Sequence, residues 1–182
     1  MDPRPAHASP TPRMPHDLPS QPAPLPPGQQ LAARGRWPQV GEREPAPLPE
    51  AWTVDVTGLV ASPLTLSLDD LRTFPRADEA IDIHCVTRWS KLGLRCVGVR
   101  LADVLERAVP LATAQFVSFT AHSNRRHDTS LPLAEALALG TLLVWEVDGR
   151  PLAVDHGGPL RTIVPGRYFY KSLKWLRSIR LL

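Results

Sequence analysis

Hydrophobic positions first settle into a regular rhythm at "AWTVDVTGLV". Trp52, Val54 and Val56 alternate with Thr53, Asp55 and Thr57, the period of a half-buried strand, and Gly58 closes it. The pattern then changes at "LSLDDLRTF". Ser67 is placed as an N-cap with Asp70 three residues on, Leu71 and Phe74 follow, and Pro75 stops the helix. "EAIDIHCV" reads as the next strand, a turn is expected over Ser90 to Gly93, and "LRCVGV" reads as a strand again. "RLADVLERAV" has the spacing of a short amphipathic helix, "AQFVSFTAH" of a strand, and "SNRRHDT" of an exposed polar loop. "LPLAEALAL" predicts a helix ended by Gly140, "TLLVWEV" a strand, and "DGRPL" a hairpin turn. The last stretch, "RTIVPGRYFYKSLKWLRSIRLL", predicts a strand, a Pro-Gly turn and a final strand.

Short strands interleaved with short helices predict an α+β fold with mixed sheets. No GxGxxG and no P-loop occurs, which argues against the two common phosphate-binding architectures, and there is no internal repeat. Of the 21 prolines, 14 lie in the first 50 residues. Residues 1–28 are therefore expected to be a disordered tail with little to bury. Residues 29–50, with Trp37 as an anchor, are expected to lie in extended form across a domain spanning 51–182. No apolar run is long enough for a membrane span, and "MDPRPAHASPTPRMPHDLPS" has no secretory h-region. A cytoplasmic location is expected on that basis, with a periplasmic one left open.

Charge changes the picture at the C-terminal end. From His156 to Leu182 the chain carries Arg161, Arg167, Lys171, Lys174, Arg177 and Arg180 and no Asp or Glu. Such a block attracts an anion: a phosphate-bearing cofactor, an acidic substrate, nucleic acid or an acidic partner.

Two cysteines, Cys85 and Cys96, make neither a disulfide framework nor the CxxC pairs of a structural zinc site. Cys96 sits mid-strand and reads as structural. Cys85 stands at a strand end, where a thiol is a packed core atom, half of a disulfide, a nucleophile or a soft-metal ligand. His84 is its neighbour on the strand and so points to the opposite face, poorly placed to activate it. His122, His127 and His156 show no ligand spacing. "HGGPLR" is either a plain tight turn or a place where the backbone approaches a ligand closely and Arg161 projects from a strand start. "YKSLKW" offers backbone N–H groups, the Ser172 hydroxyl and two ammonium groups to a phosphate, set among Tyr168, Phe169, Tyr170 and Trp175.

"HCVTRWS", followed about 70 residues later by "HGGPLRTIVPGRYFYKSLKWLRSI", resembles the molybdopterin-binding domain of the sulfite oxidase family. The likeness is to its small stand-alone bacterial members, related to the catalytic subunit of periplasmic methionine-sulfoxide reductase. It covers roughly Pro27 to Leu182. The resemblance implies a sulfite oxidase-like molybdopterin-binding fold and an oxidoreductase that moves an oxygen atom to or from a small substrate such as a sulfoxide or sulfite. It implies that Cys85 ligates molybdenum beside the two pterin sulfurs, a role suited to a strong thiolate donor. It further implies that His84, Ala121, His122, His156, Arg161, Ser172, Leu173 and Lys174 contact molybdopterin, with Ala121 where a hydroxyl is usual. The segment around Trp37 to Gly41 would wrap the cofactor. Gly166 stands where relatives carry a bulky residue, which predicts a wider substrate mouth. With no CxxCH haem motif, a separate haem or flavin protein is the implied electron partner. Two alternatives are a molybdopterin-binding protein without turnover and a basic nucleic-acid-binding module. The latter leaves "HCVTRWS" and "HGGPLR" unexplained, so no nucleic-acid partner is expected.

Overall fold

A computed structural model of the chain describes residues 25–33, 36–43 and 45–182. Most of the Pro-rich tail expected over residues 1–28 lies outside the described residues. The described part is an α+β fold with two mixed sheets and three short α-helices. The first sheet is built on a long strand, β5 (Trp89–Arg100). One edge of β5 pairs antiparallel with β4 (Arg76–His84). Its other edge is shared between β8 (Leu142–Val147), antiparallel, and the two-residue β1 (Gln30–Leu31), parallel at Trp89 and Ser90. The short β9 (Arg150–Pro151) and β10 (Arg161–Ile163) complete it on β8.

The second sheet runs β3 (Leu64–Ser67), β2 (Thr53–Gly58), β11 (Leu176–Leu181), β6 (Phe116–Ala121), β7 (Asp128–Pro132). Its last strand in sequence, β11, inserts between β2, which it meets in parallel, and β6. The alternation read in β2 is real: Val54 and Val56 are buried against the core while Thr53 and Thr57 face out. Helix α1 (Leu68–Arg72) starts with the capping box that Ser67 and Asp70 predict, each side chain bonding the other's backbone N–H. Helix α2 (Leu101–Ala108) buries Leu101, Val104, Leu105 and Ala108, one stripe at helical spacing. At about 1.5–3 kcal/mol for each large apolar side chain buried, that stripe rather than intrinsic propensity holds so short a helix. Helix α3 (Leu133–Ala138) ends before Gly140, whose φ of +67° stops it. The Asp148–Gly149 pair, both at positive φ, makes the tight turn between β8 and β9.

One turn is displaced from its expected position. Ser90 to Gly93 lie inside β5, and the chain reverses earlier, at Cys85–Arg88. The Arg88 N–H donates to the Cys85 carbonyl (3.0 Å), the Cys85 N–H donates to the Trp89 carbonyl (2.9 Å), and Arg88 takes a left-handed φ of +67°. Gly93 serves a β-bulge instead. Its φ is +62°, its N–H donates to Asp82 Oδ1 (2.7 Å), and the β4–β5 register slips between Ile81 and Ile83. A glycine inside an apolar run signals a turn or a bulge equally well. Here it marked the bulge, and the true turn carries the cysteine.

Candidate active site

Because β4 ends one residue before it, Cys85 is held at the mouth of a hairpin rather than inside a strand. The residue is 2% exposed, yet it lines a cavity of about 370 Å³, within the ~300–1,000 Å³ typical of small-molecule sites. The thiol is free, and its Sγ accepts a hydrogen bond from the Thr87 hydroxyl at 3.1 Å. Gln29 fixes the turn from outside: its amide N–H donates to the Cys85 carbonyl (2.9 Å), and its oxygen accepts from the Ser90 hydroxyl (3.0 Å). Ser90 in turn meets His84 Nδ1 at 2.8 Å. Four residues thus fasten the connector to the cysteine turn.

Arg161 opens β10 and is the most unusual group in the cavity. Its residue is 1% exposed, and among the described residues no carboxylate forms an ion pair with it. Its guanidinium donates instead to three carbonyls: His156 (2.6 Å), Ser172 (2.8 Å) and, less closely, Thr162 (3.3 Å). It lies over the Phe169 ring at 4.3 Å and near Trp37 at 5.6 Å. Burial pushes its pKa down from 12.5 to about 9. Lys174 is the second cation. Its ammonium donates to the Asp155 (2.7 Å) and Glu42 (3.0 Å) carbonyls, and burial followed by the Arg161 charge lowers its pKa to about 8. Arg161, held by carbonyl dipoles alone, and Lys174, which also feels the Asp155 and Glu42 charges, make this side of the cavity electropositive.

The loop between them is knitted from inside. The Ser172 hydroxyl accepts from the Val164 N–H (3.0 Å), and the Thr162 hydroxyl accepts from the Leu173 N–H (2.7 Å). The two glycines of "HGGPLR" approach protein, not open space. A Cβ on Gly157, which sits at φ +104°, would come within 2.9 Å of Lys174 Cα, and one on Gly158 within 1.9 Å of the Leu152 carbonyl oxygen. Gly157 lets this turn pack directly on Lys174, and Gly158 lets it pack on the Leu152 backbone.

Cys85, Ala121, Arg161, Ser172, Leu173 and Lys174 therefore line one cavity. Three other expected cofactor contacts do not. His84 sits on the opposite face of its strand and belongs to the Ser90–Gln29 network, beside a separate shallow groove that also holds Gly166. Gly166 lines that groove and not the cysteine cavity. The His122 ring packs edge-on against Trp52 at 4.8 Å, with Nε2 buried and unpartnered. Burial and Arg177 lower its pKa. His156 contributes its carbonyl to Arg161, while its ring stacks on Trp37 at 4.1 Å and 5°. Burial is the chief cause lowering its pKa.

Sequence reasoning did not find the wall supplied by Glu42, His127 and Asp128. Glu42 is 8% exposed and accepts from the Ser123 hydroxyl and from His127 Nδ1 (3.1 Å). No local pattern announces such a pair. The only signal is an acid in the connector and a histidine in the polar loop. Exposed Val86 and Tyr170 complete the rim.

Comparison with known proteins agrees with this arrangement. The family described as "Oxidoreductase molybdopterin binding domain" matches residues 42–182. An uncharacterised oxidoreductase of Bacillus subtilis, YuiH, is 43% identical over 129 residues, which cover 71% of this chain and 64% of that protein. MsrP of Xanthomonas campestris, the catalytic subunit of a protein-methionine-sulfoxide reductase, is 35% identical over 143 residues, covering 71% of this chain and 44% of its own. The sulfane dehydrogenase SoxCD from Paracoccus pantotrophus superposes with a TM-score of 0.66 at 22% identity, over 71% of this chain and 38% of that one, a likeness of fold. The chain thus spans less than two thirds of each of these relatives.

Proposed function

Since the chain belongs to the oxidoreductase molybdopterin-binding domain family, we propose that its cavity holds molybdenum through Cys85 Sγ and transfers an oxygen atom to or from a small substrate. The observation that carries this reading is the meeting, in one cavity, of a free thiol, a buried guanidinium and a half-buried ammonium, neither cation in an ion pair among the described residues. That donor set fits the group. A soft thiolate suits a molybdenum ligand, and uncompensated guanidinium and ammonium charges suit a phosphate and the polar pterin edge.

Arg161 and Lys174 would hold the anionic part of the cofactor, with the Ser172–Leu173 backbone beside them. When bound, the group supplies the two-electron oxidation–reduction chemistry that protein side chains lack. The chain's own residues do the rest. Gln29 and the Cys85–Arg88 turn hold the sulfur in place, and the Thr87 hydroxyl offers it a hydrogen bond that favours the thiolate. The connector residues Val40, Gly41 and Glu42 cover one side of the cavity and limit access by water. Electrons would come from, or go to, a separate haem or flavin protein. The substrate, a sulfoxide, sulfite or similar molecule, would enter past Val86 and Tyr170. Elemental analysis tests the assignment. Wild-type protein should carry roughly one molybdenum per chain, and Cys85→Ser should lose it while keeping its fold by circular dichroism. Undiminished molybdenum in Cys85→Ser would remove the ligand assignment.

A further inference from the structure

Glu42 is the one buried carboxylate among the described residues, and it is spent on the cavity wall rather than on either cation's side chain. Its carboxylate accepts from the Ser123 hydroxyl and lies 3.1 Å from His127 Nδ1, both residues being in the loop that joins β6 to β7. An ionised carboxylate has no hydrogen to donate, so its approach to Nδ1 favours hydrogen on that nitrogen. With Nδ1 turned to Glu42, Nε2 is the ring nitrogen on the side away from the carboxylate. No hydrogen bond among the described residues engages Nε2, and the His127 side chain lines the same cavity as Cys85. A histidine oriented by a buried acid, with its far nitrogen free in a cavity, is the arrangement by which proteins deliver protons to a reacting atom.

Resting on the oxygen-transfer reading above, we propose that His127, oriented by Glu42, protonates the oxygen leaving a neutral S-oxide or N-oxide substrate. The S–O or N–O bond breaks, and the sulfur or nitrogen gains two electrons from the haem or flavin partner. The oxygen departs as water, taking one proton from His127 Nε2 and a second from solvent. A neutral substrate is favoured because this part of the wall carries Glu42 and Asp128, while the cavity cations Arg161 and Lys174 are held by carbonyls of the phosphate loop and connector. The groups facing His127 are therefore Glu42 from the connector, Asp128 at the start of β7 and, through the Glu42 backbone, Lys174. Arg125 and Arg126 of its loop are exposed and lie outside the cavity lining.

The test uses the full chain loaded with its cofactor, with dimethyl sulfoxide and trimethylamine N-oxide as substrates and a reduced viologen as electron source. Molybdenum and pterin contents are measured first. A wild type without molybdenum would refute the oxygen-transfer reading itself, independently of His127. With content equal to wild type, His127→Gln should lower kcat by about 10²-fold, in the range of a lost general acid, with little change in KM. His127→Gln should also flatten the dependence of rate on pH. Glu42→Gln should lower kcat less and keep a pH-dependent limb, since the imidazole remains but is poorly oriented. Sulfite should be a poor substrate in the reverse direction. If His127→Gln loses cofactor, the pH dependence of Glu42→Gln decides: a shifted limb supports the proposal and an unshifted one overturns it. An unchanged kcat and pH profile in cofactor-replete His127→Gln would overturn it outright.

Discussion

Replacing Arg161 by methionine separates what the fold needs from what its ligand needs. The guanidinium is buried, and its pKa of about 9 against an ordinary 12.5 corresponds to about 5 kcal/mol of charge-burial cost at neutral pH. Against this stand three hydrogen bonds to carbonyls, each worth about 1.5–3 kcal/mol when the donor is charged. The 3.3 Å contact to Thr162 belongs at or below the low end of that range. Gain and loss therefore nearly cancel. Methionine has a similar length and can keep contact with Phe169, so little cavity is opened. Arg161→Met should change the stability of cofactor-free protein by no more than about 2 kcal/mol, whereas truncating a core leucine would cost about 2–5 kcal/mol.

The ligand side behaves differently. An anion that binds only the folded protein stabilises it by about 2.7 kcal/mol at a hundredfold excess over its Kd. Urea unfolding of cofactor-free wild type with and without pyrophosphate should show such a gain, and Arg161→Met should show almost none. The sign of the pH effect follows from the lowered pKa. The unfolded chain binds the proton more tightly, so the charge penalty is present in full below about pH 9 and is relieved as pH rises toward 12.5. A loss above 4 kcal/mol in the cofactor-free variant, or equal stabilisation of variant and wild type by the anion, would refute the reasoning.

Two further outcomes follow from neighbouring groups. Ser172→Ala leaves the buried Val164 N–H without its acceptor and should cost about 1–3 kcal/mol in urea unfolding, with Ser172→Thr closer to wild type. Lys174, with its pKa lowered to about 8, also binds its proton more weakly when folded, so stability of cofactor-free protein should rise between pH 8 and 9. That window precedes the titration of Arg161 and of buried Cys96, whose pKa is pushed up to about 12 and whose effect has the opposite sign above pH 9. Because Lys174 is only half-buried, solvent screening keeps the gain to about 1 kcal/mol, and Lys174→Met should remove the slope.

What the sequence disclosed was what short-range rules govern. The alternation in β2, the capping box at Ser67, the stripe on α2 and the Asp-Gly turn each depend on residues within one or two turns of one another, and each stands as read. One residue type can serve two purposes. Gly93 signalled a turn and made a bulge, and nothing in the spacing of "IDIHC" and "DHGGPLR" announces that one histidine ties Ser90 and the other stacks on Trp37. The wall of Glu42 and His127 escaped notice because the partners are 85 positions apart and neither belongs to a motif. Long-range pairing of this kind is set by the whole topology, here by the loop between β6 and β7 meeting a connector that has two strand residues of its own.

That connector ties the two halves of the cavity into one problem. Gln29 holds the cysteine turn, Trp37 covers His156 and Arg161, and Glu42 receives Lys174 on its carbonyl and His127 on its carboxylate. Its sheet pairing is limited to Gln30 and Leu31, so few backbone bonds oppose its opening. Segments with so little regular pairing sit at the low end of local stability. Its attachment must therefore come mainly from the same side chains that form the cavity wall. Any ligand that engages Arg161, Lys174 and Cys85 then also stiffens residues 29–33 and 36–42. Exchange protection of the Gln30 and Ala32 amides, which donate to the Arg88 and Ser90 carbonyls, would rise on loading even though neither residue lines the cavity. Equal protection in loaded and cofactor-free protein would mean that the segment is held independently of the site, and the coupling argued from its contacts would be absent.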